Sequence, residues 1–304
     1  MGTLKKYWGH KQKFIDPFIK LKSKLVNSIQ YTKDGLPLPS VIEISESGTC
    51  NRKCSFCPRS DPNFKDVKEF ISDDLIKKLC EELAEFDYKG LVLISGFVEP
   101  LLDKNIFNII KTVRGYLPNC KIEMVTNGDV LNVKRMKKLF ESGLSAFYIS
   151  VYDGPEAEKK FLKMINEAKL TPEQAKIRKR YLSENEDFGI TMGNRGGMME
   201  KAEYSIPSLK EPLKNACYYP SYTFFMDYNG DVLVCSHDWG KKMIVGNMLK
   251  EKFIDIWSND KFSSARKRLL NKDRNISPCN KCDVIGTLLG EEHAKVWHNQ
   301  QKNK

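Results

Sequence analysis

The sequence predicts an α/β protein with a parallel sheet, followed by a smaller cysteine-bearing unit. Three observations carry that expectation. From Val41 onward, short apolar runs alternate with amphipathic stretches, the rhythm of strand-then-helix repeats. After Ile206 the rhythm changes to a hairpin pattern, with Asn229-Gly230 between two apolar runs. Seven of the nine cysteines fall into sets: Cys50, Cys54 and Cys57; Cys217 and Cys235; Cys279 and Cys282. In a chain read as cytosolic, clustered cysteines point to metal or redox chemistry rather than disulfides. Cys80 falls within a helical pattern and Cys120 just before a strand, so both are read as small buried apolar residues.

Residues 1–40 read as an N-terminal extension. Trp8, Phe14, Phe18, Leu21, Leu25 and Ile29 recur at near-helical spacing among lysines. That pattern suits a helix packed on its own domain better than one lying on a membrane surface. Asp34, Gly35, Pro37 and Pro39 then break it. Residues 41–205 form the main unit, with strands expected at 41–45, 91–95, 122–126, 146–151 and 188–192. Helices are expected at 72–86, 105–116, 133–142 and 172–184. Residues 206–304 form the second unit, with a hairpin over 224–228 and 232–235. In parallel sheets and barrels, chemistry gathers at the C-terminal ends of the strands. The segments rich in candidate residues fall there: 50–57, 96–100, 126–128 and 150–154.

Composition sets broad bounds. At 304 residues, 41% hydrophobic and 29% charged, the chain is ordinary for a globular protein. No apolar run reaches the roughly 18 residues of a membrane span, and no signal-peptide core is evident. A cytoplasmic location is expected. Fifty Lys and Arg against 39 Asp and Glu leave +11, which fits an anionic small-molecule substrate or nucleic acid as well as a solvated lysine surface. Nucleic acid is the less favoured partner, because no basic stripe interleaved with aromatics is present.

The spacing Cys50-x3-Cys54-x2-Cys57 places three thiolates on one short loop after a strand. Three thiolates can hold three irons of a cubane and leave the fourth iron open, whereas structural zinc wants a fourth local ligand. With Phe56 before the last cysteine, this loop resembles the signature of the radical S-adenosylmethionine (SAM) superfamily. The resemblance implies a partial (β/α)6 TIM-like barrel in which SAM binds the open iron of a 4Fe-4S cluster. Its cleavage would give a 5′-deoxyadenosyl radical that abstracts a substrate hydrogen, the protein supplying orientation and exclusion of water. Ser95-Gly96-Phe97-Val98-Glu99-Pro100 is similar to the family's Gly-Glu-Pro segment, with Val98 where relatives have Gly, and implies that Gly96 and Glu99 bind SAM's amino group. Thr126-Asn127-Gly128 and the segment from Ser150 to Gly154, with Asp153, resemble the family's segments near the ribose and carboxylate. Phe56, Thr126, Asn127, Ser150 and Asp153 are therefore further cofactor-binding candidates, although Asn-Gly and Asp-Gly are also ordinary turn formers. Arg195, in Asn194-Arg195-Gly196-Gly197, could bind a carboxylate or phosphate in the cofactor or substrate.

Spacing alone leaves zinc and an iron–sulfur cluster both open for Cys217, Cys235, Cys279 and Cys282. The tract from Cys217 to Asp283 resembles the SPASM extension of the same superfamily, in its shorter twitch form of a β-hairpin plus helix. That implies a second 4Fe-4S cluster held by these four cysteines. Their spacing is similar to that of the aminocyclitol dehydrogenases known from the butirosin pathway. The resemblance implies two-electron oxidation of a carbohydrate or aminocyclitol-type alcohol, with the second cluster as electron acceptor and a flavodoxin- or ferredoxin-type protein as reductant. Arg195, His237 and Asp238 are the candidates for the base such a reaction needs. Packing beside the second cluster is the plainer reading of His237 and Asp238. Ribosomal-peptide maturation and RNA modification are the alternative functions.

Overall fold

The computed structural model describes residues 19–180, 193–286 and 289–302. It contains one eight-stranded sheet in the order β5-β4-β3-β2-β1-β6-β7-β8. The strands are β1 Val41–Ser45, β2 Leu91–Ile94, β3 Lys121–Thr126, β4 Ala146–Val151, β5 Ala175–Lys179, β6 Thr223–Asp227, β7 Asp231–Leu233 and β8 Ile244–Asn247. Neighbours from β5 through β1 to β6 run parallel, and β6-β7-β8 turn antiparallel. This is an α/β architecture, with the C-terminal strands continuing the same sheet. β1 pairs with β2 and β6 at once, Val41 facing both Leu91 and Thr223. The C-terminal tract therefore adds to the sheet through β1.

Alternation along β1 divides its labour. Ile42 and Ile44 enter the main apolar core under the helices, while Glu43 on the other face accepts a hydrogen bond from Ser95 Oγ at 2.7 Å. The covering helices are α2 Asp73–Ala84, α3 Ile106–Tyr116, α4 Val133–Glu141 and α5 Pro155–Glu167. Their starts follow local rules. Ser72 caps α2 by accepting from the Leu75 N–H, with Asp73 and Asp74 in the first turn to complement the helix dipole. Asn132 caps α4 in the same way, and Pro155 opens α5. Leu75, Ile76, Leu79, Cys80 and Leu83 form the buried stripe of α2. Cys80 and Cys120 are core residues, as their sequence context indicates.

Residues 172–180 do not form the expected helix, and 181–184 lie outside the described residues. Thr171 and Gln174 close a turn, and Ala175–Lys179 forms β5, fully paired with β4. Ala, Lys and Arg favour helices, but free hydrogen-bonding groups along β4 outweigh that weak local preference. The helix actually following β4 is α5, announced by Gly154-Pro155. The strand expected at 188–192 lies outside the described residues, as do Trp8, Phe14 and Phe18.

The described part of the N-terminal segment is helix α1, Ile19–Asn27. Its Val26 is buried with Val41, Leu91 and Tyr222, so this part packs on its own domain. Behind it lie α6 Phe253–Ser258, α7 Asp260–Leu270 and α8 Glu291–Lys302. Buried Arg266 of α7 is enclosed by aromatic rings, its guanidinium carbon 4.0 Å from the Trp257 centroid, 4.4 Å from Phe262 and 3.8 Å from Trp297. Trp297 also donates to the Ser221 carbonyl at 3.2 Å. No helix among the described residues is long and apolar enough to cross a membrane. Trp297→Ala would open a cavity beside a buried cation. The expected loss is about 3–5 kcal/mol of unfolding free energy, measured by denaturant titration.

Candidate active site

The C-terminal ends of β1 to β4 and the loops after them line a cleft of about 750 Å³. Cys50, Cys54 and Cys57, Phe56, Gly96, Glu99, Thr126, Asn127, Ser150 and Arg195 all border it. Sequence reasoning did not single out Arg52, Arg59, Tyr152 and Trp239, which border it too.

Glu99 fixes the floor. Its side chain is buried, and its oxygens accept from Thr126 Oγ1 at 2.6 Å, the Asn127 N–H at 2.7 Å and the Leu101 N–H at 3.0 Å. Burial raises its pKa, and these donors hold it down. The carboxylate thus ties the loop after β2 to the end of β3. The chain turns at Gly96 with φ +102°, a left-handed conformation in which a Cβ would lie 2.9 Å from the Ser45 Cβ. Val98 does not supply that turn. Gly128, at φ +79°, lies where a Cβ would come within 2.7 Å of the Phe161 ring.

The first cysteine loop is held by two arginines. Arg52 donates to Asp129 Oδ2 at 2.7 Å and Asp153 Oδ1 at 2.8 Å, bridging the turns after β3 and β4. The guanidinium lowers the pKa of Asp153. Asp153, expected to touch the cofactor, is not among the residues that border the cleft; it anchors the loop. Asn51 Nδ2 adds a 2.7 Å bond to Asp129, and Asn127 reaches Asn51 Oδ1 at 2.8 Å. Buried Arg59 pairs with Asp66 and donates to the carbonyls of Phe97 at 2.8 Å and Gly48 at 3.0 Å. Above the loop the Phe56 and Tyr152 rings lie 5.3 Å apart.

Cys217, Cys235, Cys279 and Cys282 line a second, apolar chamber with Pro220, Val234, Leu269 and Val284. Burial raises all four thiols, Cys279 to about 12 and Cys282 to about 11, and burial also raises Cys54 to about 11. Thiols so desolvated ionise when a bound metal supplies positive charge. Among the described residues, no three His, Cys, Asp or Glu side chains converge tightly enough to grip a single metal ion. Four soft thiols gathered around one apolar chamber form a donor set that suits an iron–sulfur cluster.

The three base candidates separate in space. Arg195 borders the cleft; His237 borders the four-cysteine chamber; Asp238 borders neither. Arg195 Nη1 lies 3.3 Å from His237 Nδ1, and because arginine only donates, Nδ1 accepts. Burial, with help from Arg195, pushes the His237 pKa down to about 3, leaving it neutral. Asp238 is wholly buried and closes its own loop by accepting from the Lys242 N–H at 2.9 Å and the Met243 N–H at 2.8 Å.

Known proteins share this arrangement. The radical SAM superfamily model matches residues 44–192, and an iron–sulfur cluster-binding domain model, SPASM, matches residues 217–283. The S-adenosyl-L-methionine-dependent 2-deoxy-scyllo-inosamine dehydrogenase of Niallia circulans is 31% identical over 258 residues, 84% of this chain and 98% of the relative. A GTP 3′,8-cyclase of Clostridium perfringens is 32% identical over 111 residues, covering 36% of this chain and 33% of the cyclase. The crystal structure of BtrN with AdoMet and 2-DOIA superposes with a TM-score of 0.70 at 29% identity, covering 84% of this chain and 98% of BtrN.

Arg52→Gln removes the ion pairs of Arg52 with Asp129 and Asp153. The expected outcome is a folded protein with nearly unchanged thermal unfolding, because ion pairs this exposed contribute little. After anaerobic reconstitution it should release iron from the three-cysteine loop several-fold faster into a chelator, read by optical absorbance. The four-cysteine chamber should keep its iron.

Proposed function

Because the chain belongs to the radical SAM superfamily and uses SAM with iron–sulfur clusters, we propose that it oxidises a secondary alcohol of an aminocyclitol to a ketone. The carrying observation is that the likeness to the inosamine dehydrogenase covers 84% of this chain and nearly the whole of that relative. The cyclases match over only about a third of either chain, so their substrate does not transfer. Peptide maturation and RNA modification have no comparable support.

The residues fit the groups such a reaction needs. Cys50, Cys54 and Cys57 would hold the SAM-binding 4Fe-4S cluster, and Cys217, Cys235, Cys279 and Cys282 the second. When bound, SAM and its cluster supply a hydrogen-abstracting 5′-deoxyadenosyl radical, and the second cluster supplies a one-electron acceptor. Oxidation of a CH–OH group to a ketone removes one hydrogen atom, one electron and one proton. The chain's task is to bind the alcohol with its C–H facing the cofactor and to manage the hydroxyl proton. Gly96 leaves room for SAM's amino group at the end of β2, with Asn127, Ser150 and Tyr152 on the far wall. Glu99 positions that wall. Arg195, whose guanidinium only donates, would hold the alcohol oxygen in place. His237 aims Arg195 by accepting from it. Asp238 maintains the loop after Cys235. A small acidic electron carrier of the flavodoxin or ferredoxin type would suit the +11 chain as reductant, in the cytoplasm.

The reading is tested with anaerobic protein, dithionite, SAM and 2-deoxy-scyllo-inosamine. The expected result is 5′-deoxyadenosine with an equal amount of amino ketone, and about eight irons per chain. Cys217→Ala should still form 5′-deoxyadenosine while ketone falls at least tenfold. Abundant 5′-deoxyadenosine from the intact enzyme with no oxidised aminocyclitol would remove the substrate assignment.

A further inference from the structure

We propose that the loop carrying Cys279 and Cys282 sets the position of Arg195 in the cleft, with Asn194 and Asp283 as the positioning residues. Substrate affinity then depends on the integrity of the second cysteine site. The substrate arm of this inference rests on the alcohol-oxidation reading above; the structural arm does not.

The contact is reciprocal. The Asn194 N–H donates to Asp283 Oδ1 at 2.9 Å, and Asn194 Oδ1 accepts from the Asp283 N–H at 3.3 Å. Asn194 Nδ2 adds a 2.6 Å bond to the Lys281 carbonyl, inside the short segment between Cys279 and Cys282. Asn194 is fully buried and Asp283 nearly so, so each lost bond would leave a buried polar group unpaired. The two glycines after Arg195 let the backbones lie close. A Cβ on Gly196 would sit 3.1 Å from the Pro278 Cβ and 3.2 Å from the His237 carbonyl oxygen. One on Gly197 would sit 2.6 Å from Ser208 Oγ.

Arg195 itself has φ +49°, a left-handed conformation that a side-chain-bearing residue keeps only when its surroundings hold it. Its side chain is fixed by His237, two residues beyond Cys235. Among the described residues, the hydrogen bonds that leave Asn194 and Arg195 for distant partners end at Pro207, His237, Lys281 and Asp283. None reaches β1 to β5. An arginine that borders the cleft is thus held, backbone and side chain alike, by the loops that carry Cys235, Cys279 and Cys282. An unfilled second site would loosen those loops and with them the arginine.

The first test needs no substrate. Hydrogen exchange is followed at backbone amides 194–199 in the reconstituted enzyme, in the Cys279→Ala/Cys282→Ala double variant, and in Asp283→Ala and Asp283→Asn. Exchange should quicken about tenfold in the double variant and in Asp283→Ala, the size of effect expected when a buried hydrogen bond is lost. It should stay slow in Asp283→Asn, whose amide oxygen still accepts from the Asn194 N–H. The second test measures steady-state oxidation of 2-deoxy-scyllo-inosamine. Asp283→Ala should raise the KM for the alcohol about tenfold, with kcat, the KM for SAM and iron content nearly unchanged, and Asp283→Asn should restore it. Slow exchange persisting in Asp283→Ala, or a loss of kcat and SAM affinity together, overturns the inference. If the intact enzyme does not oxidise this alcohol, the substrate assignment fails, and the exchange measurement still decides the positioning role.

Discussion

The carboxylate of Glu99 is the interaction on which the cleft depends. A buried acid is costly unless its oxygens are satisfied, and here the satisfying donors come from two different strand ends. Meeting that requirement forces the loop after β2 to sit against the turn after β3. The pocket wall therefore follows from a solvation constraint rather than from loop stiffness. Arg52 extends the logic outward, since its planar fork reaches Asp129 and Asp153 at once and draws in the turn after β4. Four strand ends and the cysteine loop become a single connected network.

Much of this was legible in the sequence, and the part that was not has a common cause. The three-cysteine spacing, the Glu99 segment and the Asn229-Gly230 hairpin are local patterns whose chemistry is complete within a few residues. Strand β4 matches its expected limits because Ala146 to Val151 is apolar and bounded by turn residues. Arg52 escaped notice because its partners lie far off in sequence, Asp153 being 101 residues away. Asp283 carried no signal beyond its place after Cys282. Residues 175–179 misled for the converse reason: Ala-Lys-Ile-Arg-Lys is sound helical material, and only a neighbouring strand makes it β.

The candidates for proton handling show how burial sorts residues of similar chemistry. His237 and Asp238 are adjacent in sequence, yet one faces the four-cysteine chamber and the other satisfies two backbone N–H groups. Arg195, more than forty residues away, is the one that reaches the cleft. The sequence alone leaves all three as candidates and reads His237 and Asp238 more plainly as packing residues, a reading with which their placement agrees.

The placement of the second chamber follows from the sheet. β6 pairs with β1 along its whole length and β7 runs back antiparallel to it, so Leu233 lies opposite Phe225 and the chain reaches Cys235 towards the start of β6. Val234 and Cys235 leave β7 on the side of the chamber, and Trp239 returns to the cleft, its ring tilted against Phe97 with centroids 4.7 Å apart. The same short stretch thus walls both spaces. Arg195 on one side and His237 on the other meet at 3.3 Å, so one side-chain pair separates the region where an alcohol would sit from the region where four thiols gather. A reaction that takes a hydrogen atom, a proton and an electron from a single carbon centre needs its acceptors close together. Extending one sheet through β1, rather than appending an independent module, is what brings them there.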